Sequence, residues 1–360
     1  MDISLILVIN PGSTSTKIAI FDSDGNKIYQ NNIKHSAEEL APFSKITEQF
    51  SFRKEIIIEE LKKNNIDINK IKVIMGRGGL LKPIRSGLYE VNELMIEHLR
   101  NSINGEHASN LGALIANDIA KSIPDARAFI ADPVVVDELQ DVARIAGHPL
   151  FKRISIFHAL NQKAIARAHA KAQGKNYEDL NLIVVHLGGG ISVGAHQKGK
   201  VIDVNDALNG EGPFSPERSG TLSAGQVVDI CFSGKYTKAE IKKMITGKGG
   251  LVAYLNTNDA QLVGKIILEG DKYAELIYKA MAYQVAKEIG ACAIVLKGKI
   301  DAILLTGGIA FDNIFTDWIK DYVSFLAPIF IYPGEDEMFA LASYGIAYLK
   351  GEANVNVYGE

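Results

Sequence analysis

The chain has little of several things that would point to particular chemistries. Only two cysteines occur, Cys231 and Cys292, and neither sits in a CxxC pair. A disulfide scaffold is therefore not expected, and both read as free thiols in a reducing compartment. No apolar run reaches the roughly 18 residues of a membrane helix; the longest candidate, Ala282–Lys297, is broken by Lys287 and Glu288. Met1-Asp2 opens no basic n-region, so no secretory signal is expected and the protein reads as cytoplasmic. Positive charge is not in surplus: the net charge is −3, which makes nucleic acid and an anionic membrane poor partners. HExxH and comparable metal spacings are missing, which argues against zinc. A GxSxG elbow is missing too, and nothing marks either cysteine as a nucleophile, so covalent catalysis is not indicated.

What is present is an ordinary globular composition, 47% hydrophobic and 22% charged over 360 residues. That is enough for two or three structural units without staples. "ILVIN" is a continuous apolar run suited to a buried strand, "KIAIFD" alternates, and "SDGN" signals a hairpin turn. Residues 3–35 thus read as a three-stranded meander. Most of 37–64 reads as helix, "IKVIMGRGG" as a short strand, and 92–101 and 109–121 as helices, with Ser109 a candidate cap. "ARAFIAD" is a buried strand ending at Asp132.

Then the pattern restarts. "LIVVHLGGGISVGAHQKGKVIDV", Leu182–Val204, is strand, glycine turn, strand, "KGK" turn, strand. Helices follow at roughly 223–232, 237–246 and 272–297, then the strand "DAILLTGGIA", a helix, the strand "IFIYP" and a last helix over 337–349. The repeat predicts an α/β fold built from a duplicated βββαβαβα unit, with a cleft between the copies where ligands commonly bind. Two unrelated α/β domains that both open on a hairpin are the alternative.

The glycine turns are not the two common phosphate loops. "GGGISVGA" has Val193 where a dinucleotide fingerprint needs its third glycine, and an alternating segment follows it instead of a helix. No GxxxxGK[ST] string occurs. What remains is phosphate held inside a β-hairpin by backbone N–H groups and by the hydroxyls of "GSTST", with Asn10 and Lys17 flanking. Two such hairpins could clamp a triphosphate, and "LLTGGIA" leaves a third glycine turn for a flat ring. Each turn alone is equally a plain tight hairpin.

Charged residues lie at the strand ends. Arg77 in "MGRGG" and Arg218 in "FSPERSG" have glycine close by and suit a phosphoryl group in flight; ordinary surface arginines are the alternative. Asp132 ends a buried strand, where a carboxylate needs a partner, water or a metal. Glu337 opens the last helix and either complements its dipole or holds magnesium with Asp132. Of the histidines, His107, His158 and His186 stand in suggestive places, His186 just ahead of the second hairpin.

Taken in order, "INPGSTSTK", "GRGGLLKPI", "NGEHASNLG", "DPVVVDE", "IFHALNQKAIAR", "HLGGGISV", "GPFSPERSGTL" and "LTGGIA" resemble the acetate kinase family of the actin-like and sugar kinase fold superfamily. The resemblance covers nearly the whole chain. It implies two actin-like (ribonuclease H-like) domains. Residues 1–135 plus 337–360 would carry the substrate and the first phosphate loop; 136–336 would carry nucleotide binding and self-association into a homodimer or larger homo-oligomer.

By the same resemblance Asn10, Ser13 and Ser15 belong to the first phosphate loop, and His186 with Gly188, Gly189 and Gly190 to the second. Gly307 and Gly308 correspond to the adenosine loop. Arg77, Arg218 and His158 correspond to the residues on the transferred phosphoryl group, Asp132 to an aspartate near magnesium, and Glu337 to the magnesium glutamate, with Glu335 and Asp336 as rivals.

The implied reaction takes a short-chain carboxylate and ATP, with Mg2+, to an acyl phosphate and ADP. Two departures stand out: the loop before Arg218 is compact, and Gly78-Gly79 follow Arg77 where acetate kinases carry valines. The missing side chains suggest room for a longer acid, butyrate or a similar short or branched acid. A nucleotide-gated assembly protein and a sugar or polyol kinase of the same fold are the other readings. The latter would need a general-base aspartate, for which Asp132 is the only candidate.

Overall fold

The structure is a computed structural model and describes residues 4–359. The chain divides into two compact units, one running up to Val136 and resuming at Asp336, the other spanning Asp137–Glu335.

The first unit opens on β1 (Leu5–Pro11), β2 (Ser15–Asp22) and β3 (Lys27–Lys34), an antiparallel meander. The short α1 (Ala37–Leu40) and the longer α2 (Phe50–Lys63) lead to β4 (Ile71–Gly76), which pairs parallel to β1. β5 (Leu88–Glu90), α3 (Glu93–Arg100), α4 (Asn110–Lys121) and β6 (Arg127–Ala131) follow. β6 runs parallel to β4, and β5 pairs antiparallel to β6.

The second unit opens on α5 (Ala159–Ala172), then the meander β7 (Asn181–Leu187), β8 (Ile191–Gln197), β9 (Lys200–Val204). Next come α6 (Ala224–Phe232), α7 (Lys238–Ile245), α8 (Gly250–Leu255), α9 (Ala260–Leu268) and α10 (Lys272–Val295). β10 (Ala302–Gly307), α11 (Asn313–Val323) and β11 (Ile329–Pro333) complete a five-stranded sheet, order β11-β10-β7-β8-β9. The chain then returns to the first unit as α12 (Glu337–Leu349) and β12 (Val355–Asn356), and the first sheet reads β12-β5-β6-β4-β1-β2-β3.

Leaving out β5 and β12, the first sheet is β6-β4-β1-β2-β3, the same order and directions as the second. The duplication is therefore in the backbone. Each copy hands its last helix to the other unit: α5, which follows β6, packs on β7 and β10, and α12, which follows β11, packs on β1 and β4. β1 is apolar from Leu5 to Ile9 because both faces are covered. Leu7 and Ile9 belong to the core under α2 and α4, while Ile6 lies against α12 at Gly345.

Some expectations differ in detail. Ser109 stands at the N-cap of α4, but its hydroxyl bonds His107 Nδ1 at 2.7 Å and makes no cap. α5, α8, α9 and the short strands β5 and β12 had no sequence counterpart.

Candidate functional site

In the first unit the turn between β1 and β2 closes with Gly12 N donating to the Ser15 carbonyl at 2.7 Å. Beneath it lies Arg53 of α2, fully buried. Its Nη1 donates to the carbonyls of Gly12 (2.8 Å) and Ser15 (2.9 Å) and to Thr16 Oγ1 (3.1 Å); its Nη2 donates to the Ser13 carbonyl (3.1 Å). With these carbonyls drawn inward, the side chains of Ser13 and Thr14 stay exposed and Ser15 half-buried. Burial lowers the Arg53 pKa to about 10, and Gln49 Oε1 and Thr16 take further hydrogens, with no carboxylate among these partners. A cation thus underlies a turn with outward hydroxyls, an arrangement that favours an anion above it.

Asn10 is the next-to-last residue of β1, and its Nδ2 donates to Glu337 Oε2 at 2.7 Å. Arg77, just past β4, is held by its backbone N–H on the Ile9 carbonyl (2.8 Å), and its guanidinium pairs with Glu337. The three acidic rivals at the head of α12 part company. Asp336 caps the helix by accepting from Phe339 N at 2.8 Å, and Glu337 joins Arg77 and Asn10. Glu335 belongs to the second unit, with its Oε2 3.7 Å from His186 Nε2.

Asp132 is buried in a left-handed conformation (φ 40°). Its Oδ1 accepts from Ser86 Oγ (2.6 Å) and Gly87 N (2.9 Å), and its Oδ2 from Tyr344 Oη of α12. α12 therefore both supplies Glu337 and, through Tyr344, holds Asp132. Among the described residues no cluster of three or more His, Cys, Asp or Glu is arranged to hold a metal.

The expected acyl pocket at Gly78-Gly79 is corrected by the structure. A Cβ at Gly78 would overlap Pro133, and one at Gly79 would overlap Asn110 and Leu99. The missing side chains make room for the protein's own atoms. Leu80 N donates to Asn110 Oδ1 at 2.8 Å and locks this packing.

In the second unit β7 and β8 meet at Gly188-Gly189-Gly190, with Gly188 N donating to the Gly190 carbonyl at 3.2 Å. Arg218 lies against Gly190 so closely that a Cβ there would overlap its guanidinium. Nη1 donates to the Ala207 carbonyl at 2.6 Å, while the buried Nε has no hydrogen-bond partner. Burial lowers the Arg218 pKa, opposed by nearby Glu217 and Asp206. An unsatisfied buried donor is costly, and an oxyanion at the hairpin would remove the cost.

His158 at the start of α5 stacks on His186 of β7, ring centroids 3.8 Å apart and planes 11° from parallel. His158 Nδ1 bonds Ser192 Oγ (2.9 Å), and His186 Nδ1 bonds Asn161 Oδ1 (2.9 Å).

Gly307 ends β10 at φ 93°, and a Cβ there would overlap the Leu187 backbone, so only glycine serves. Gly308 next to it opens on a cleft of about 500 Å³ that also takes in Gly188 and Gly189. Ile309, Phe311 and Leu268 give it apolar walls, and Asp259 and Gln261 at the head of α9 with Lys265 in its last turn give it polar ones. Its volume is that of a small-molecule site. The structure thus brings the second and third glycine turns onto one cavity.

Sequence reasoning missed Arg53, Tyr344 and the contribution of α9. Arg53 left a signal: it precedes Ile57 and Leu61 at spacings of four on the buried stripe of α2, where a charge is out of place.

A model of the acetokinase family matches residues 150–317. Butyrate kinase 2 and butyrate kinase 1 of Clostridium acetobutylicum are each 56% identical over 353 residues, covering 98% of this chain and 99% of theirs. The crystal structure of Porphyromonas gingivalis acetate kinase superposes with a TM-score of 0.79 at 18% identity, over 96% of this chain and 100% of that one. This likeness shows the actin-like fold.

Proposed function

From the premise that the chain belongs to the acetokinase family, we propose that it is a butyrate kinase, making butanoyl phosphate and ADP from butanoate and ATP. The observation that carries this is Arg218, held against the glycine hairpin with an unpartnered buried Nε beside a nucleotide-sized cleft. The identity to butyrate kinases over nearly the whole chain supports the acid.

In this reading the adenosine enters the cleft at Gly308 and the phosphates lie along Gly188–Gly190. Ser13, Ser15 and Asn10 belong to the phosphate-binding set of the first unit. A carboxylate oxygen of butanoate attacks the γ-phosphorus in line. The bond from that phosphorus to the β–γ bridging oxygen breaks, and ADP leaves with the electron pair. The acid is ionised at neutral pH, so no general base is needed. Arg77, Arg218 and His158 stabilise charge on the equatorial oxygens.

Magnesium suits one or two carboxylates plus water and phosphate oxygens, and would neutralise phosphate charge when bound. Glu337, bound by Arg77 and Asn10, and Asp132, which accepts from Ser86, Gly87 and Tyr344, are the carboxylates that would hold it. Self-association through the second unit fits the exposed apolar side chains Val228, Phe232, Leu276 and Ile294, and a cytoplasmic location fits the acid and nucleotide.

Trapping the acyl phosphate with hydroxylamine tests the reaction. Butyrate is expected to give higher kcat/KM than acetate, with propionate and isobutyrate between. No trapped product from any short acid would overturn the reading, and an acetate preference would overturn the choice of acid.

A further inference from the structure

Between α5 and β8 lies a chain of buried polar side chains: Ser192, Gln162, His196 and Tyr177. Ser192, Gly194 and His196 alternate along β8 and face α5. A Cβ at Gly194 would crowd Gln162 Oε1, so the glycine admits the amide to the sheet. The first three side chains are fully buried, and a buried network is stable only when every donor has an acceptor.

The hydrogens in this chain can be placed from one fixed point. Gln162 Nε2 is 3.0 Å from the Ser192 carbonyl oxygen. A carbonyl only accepts, so the amide nitrogen faces it and Gln162 Oε1 faces His196. That oxygen lies 2.9 Å from His196 Nε2, which therefore carries a hydrogen; His196 Nδ1 accepts from Tyr177 Oη at 2.7 Å. Burial holds the His196 pKa well below the ordinary value, consistent with one hydrogen on this ring.

In the other direction Gln162 Nε2 also donates to Ser192 Oγ at 2.8 Å, and His158 N donates to the same oxygen at 3.4 Å. Both acceptor positions of the hydroxyl are then taken. Among the described residues its own hydrogen has one acceptor within hydrogen-bonding distance, His158 Nδ1 at 2.9 Å. A ring protonated at Nδ1 would face that hydrogen with another hydrogen.

We infer that Ser192 and Gln162 are positioning residues that hold His158 in the tautomer with its hydrogen on Nε2. Resting on the proposed kinase function, this makes His158 a neutral donor to a phosphoryl oxygen through Nε2–H, not a base. The rule is set some distance away, by a carbonyl and an amide that touch no substrate.

Long-range 1H–15N correlation of the histidine side chains tests this without activity, with the His158 signal assigned by His158→Asn. The wild-type ring is expected to show its unprotonated nitrogen at Nδ1. In Gln162→Leu the serine oxygen loses its amide donor and regains a free acceptor position, so it can accept Nδ1–H, and part of the ring population should carry its unprotonated nitrogen at Nε2. Ser192→Ala, which loses the tie, should show both tautomers. In Gln162→Leu, kcat should fall by up to about 10²-fold, the limit set by the loss of one transition-state donor, with the KM for ATP and butyrate changed little. Ser192→Thr keeps the hydroxyl and should keep the tautomer. A wild-type ring protonated at Nδ1, or a Ser192→Ala ring unchanged from wild type, would overturn the inference. A correct tautomer in a protein without kinase activity would overturn the function and leave the tautomer standing.

Discussion

Arg53 donates to the carbonyl of Gly12 from beneath the turn, and its Nη1 and Nη2 together bind three turn carbonyls, those of Gly12, Ser13 and Ser15. The outward exposure of the Ser13 and Thr14 side chains goes with this inward pull. Arg53→Met should strand those carbonyls and cost about 3 kcal/mol or more of unfolding free energy. It should also raise the KM for ATP. Urea denaturation and steady-state kinetics read the two effects, and Arg53→Lys, with fewer donors in a different geometry, should recover only part of each. Wild-type values for Arg53→Met would dismiss this role.

Arg218→Ala and Arg77→Ala should each lower kcat by about 10²- to 10³-fold with modest change in nucleotide affinity. Isothermal titration with ADP separates binding from turnover. Arg77→Ala also frees Glu337 from its ion pair, so a compensating Glu337→Gln should restore stability without restoring kcat. Near-normal turnover in either arginine variant refutes their place on the phosphoryl group.

The space beside Gly78 and Gly79 is filled by Pro133, Asn110 and Leu99. Gly79→Ala should therefore destabilise by about 1 to 3 kcal/mol through overpacking and leave the ratio of kcat/KM for butyrate and acetate within about twofold. Thermal unfolding and the acid panel check it. A switch toward acetate in a stable Gly79→Ala protein would restore these glycines as chain-length determinants.

His196 is buried and held uncharged, and burial shifts His35 and His169 in the same direction. An ordinary imidazole protonates near pH 6.5. Below that the unfolded chain takes up a proton that the folded chain refuses. Stability is then complete above about pH 6.5 and lost as pH falls below it, by about 1.4 kcal/mol per pH unit for His196 alone. Melting temperatures measured at descending pH should show this loss, and His196→Gln should flatten the slope. A pH-independent Tm across that range is the contrary result.

Both meanders were legible because alternation and glycine turns are local signals; β1–β3 and β7–β9 lie where the pattern put them. α5 was not legible. Its buried face carries Asn161, Gln162, Lys163 and His169, so an apolar count sees no stripe. β5 has three residues, too few for a period. At the site, glycines, arginines and acids at strand ends could be read as candidates. Their pairings could not, because Asn10 meets Glu337 across 327 positions of sequence. The reading of Gly78-Gly79 failed for a related reason: an absent side chain does not say whose atoms fill the space.

The exchange of α5 and α12 has a consequence for biosynthesis. The segment that closes the first sheet, with Met338, Leu341 and Ala342 buried, is made after the whole second unit. As the chain leaves the ribosome, the unit begun first is finished last. Until then one apolar face of its strands has no cover, and that interval is when a nascent chain of this kind most needs a chaperone.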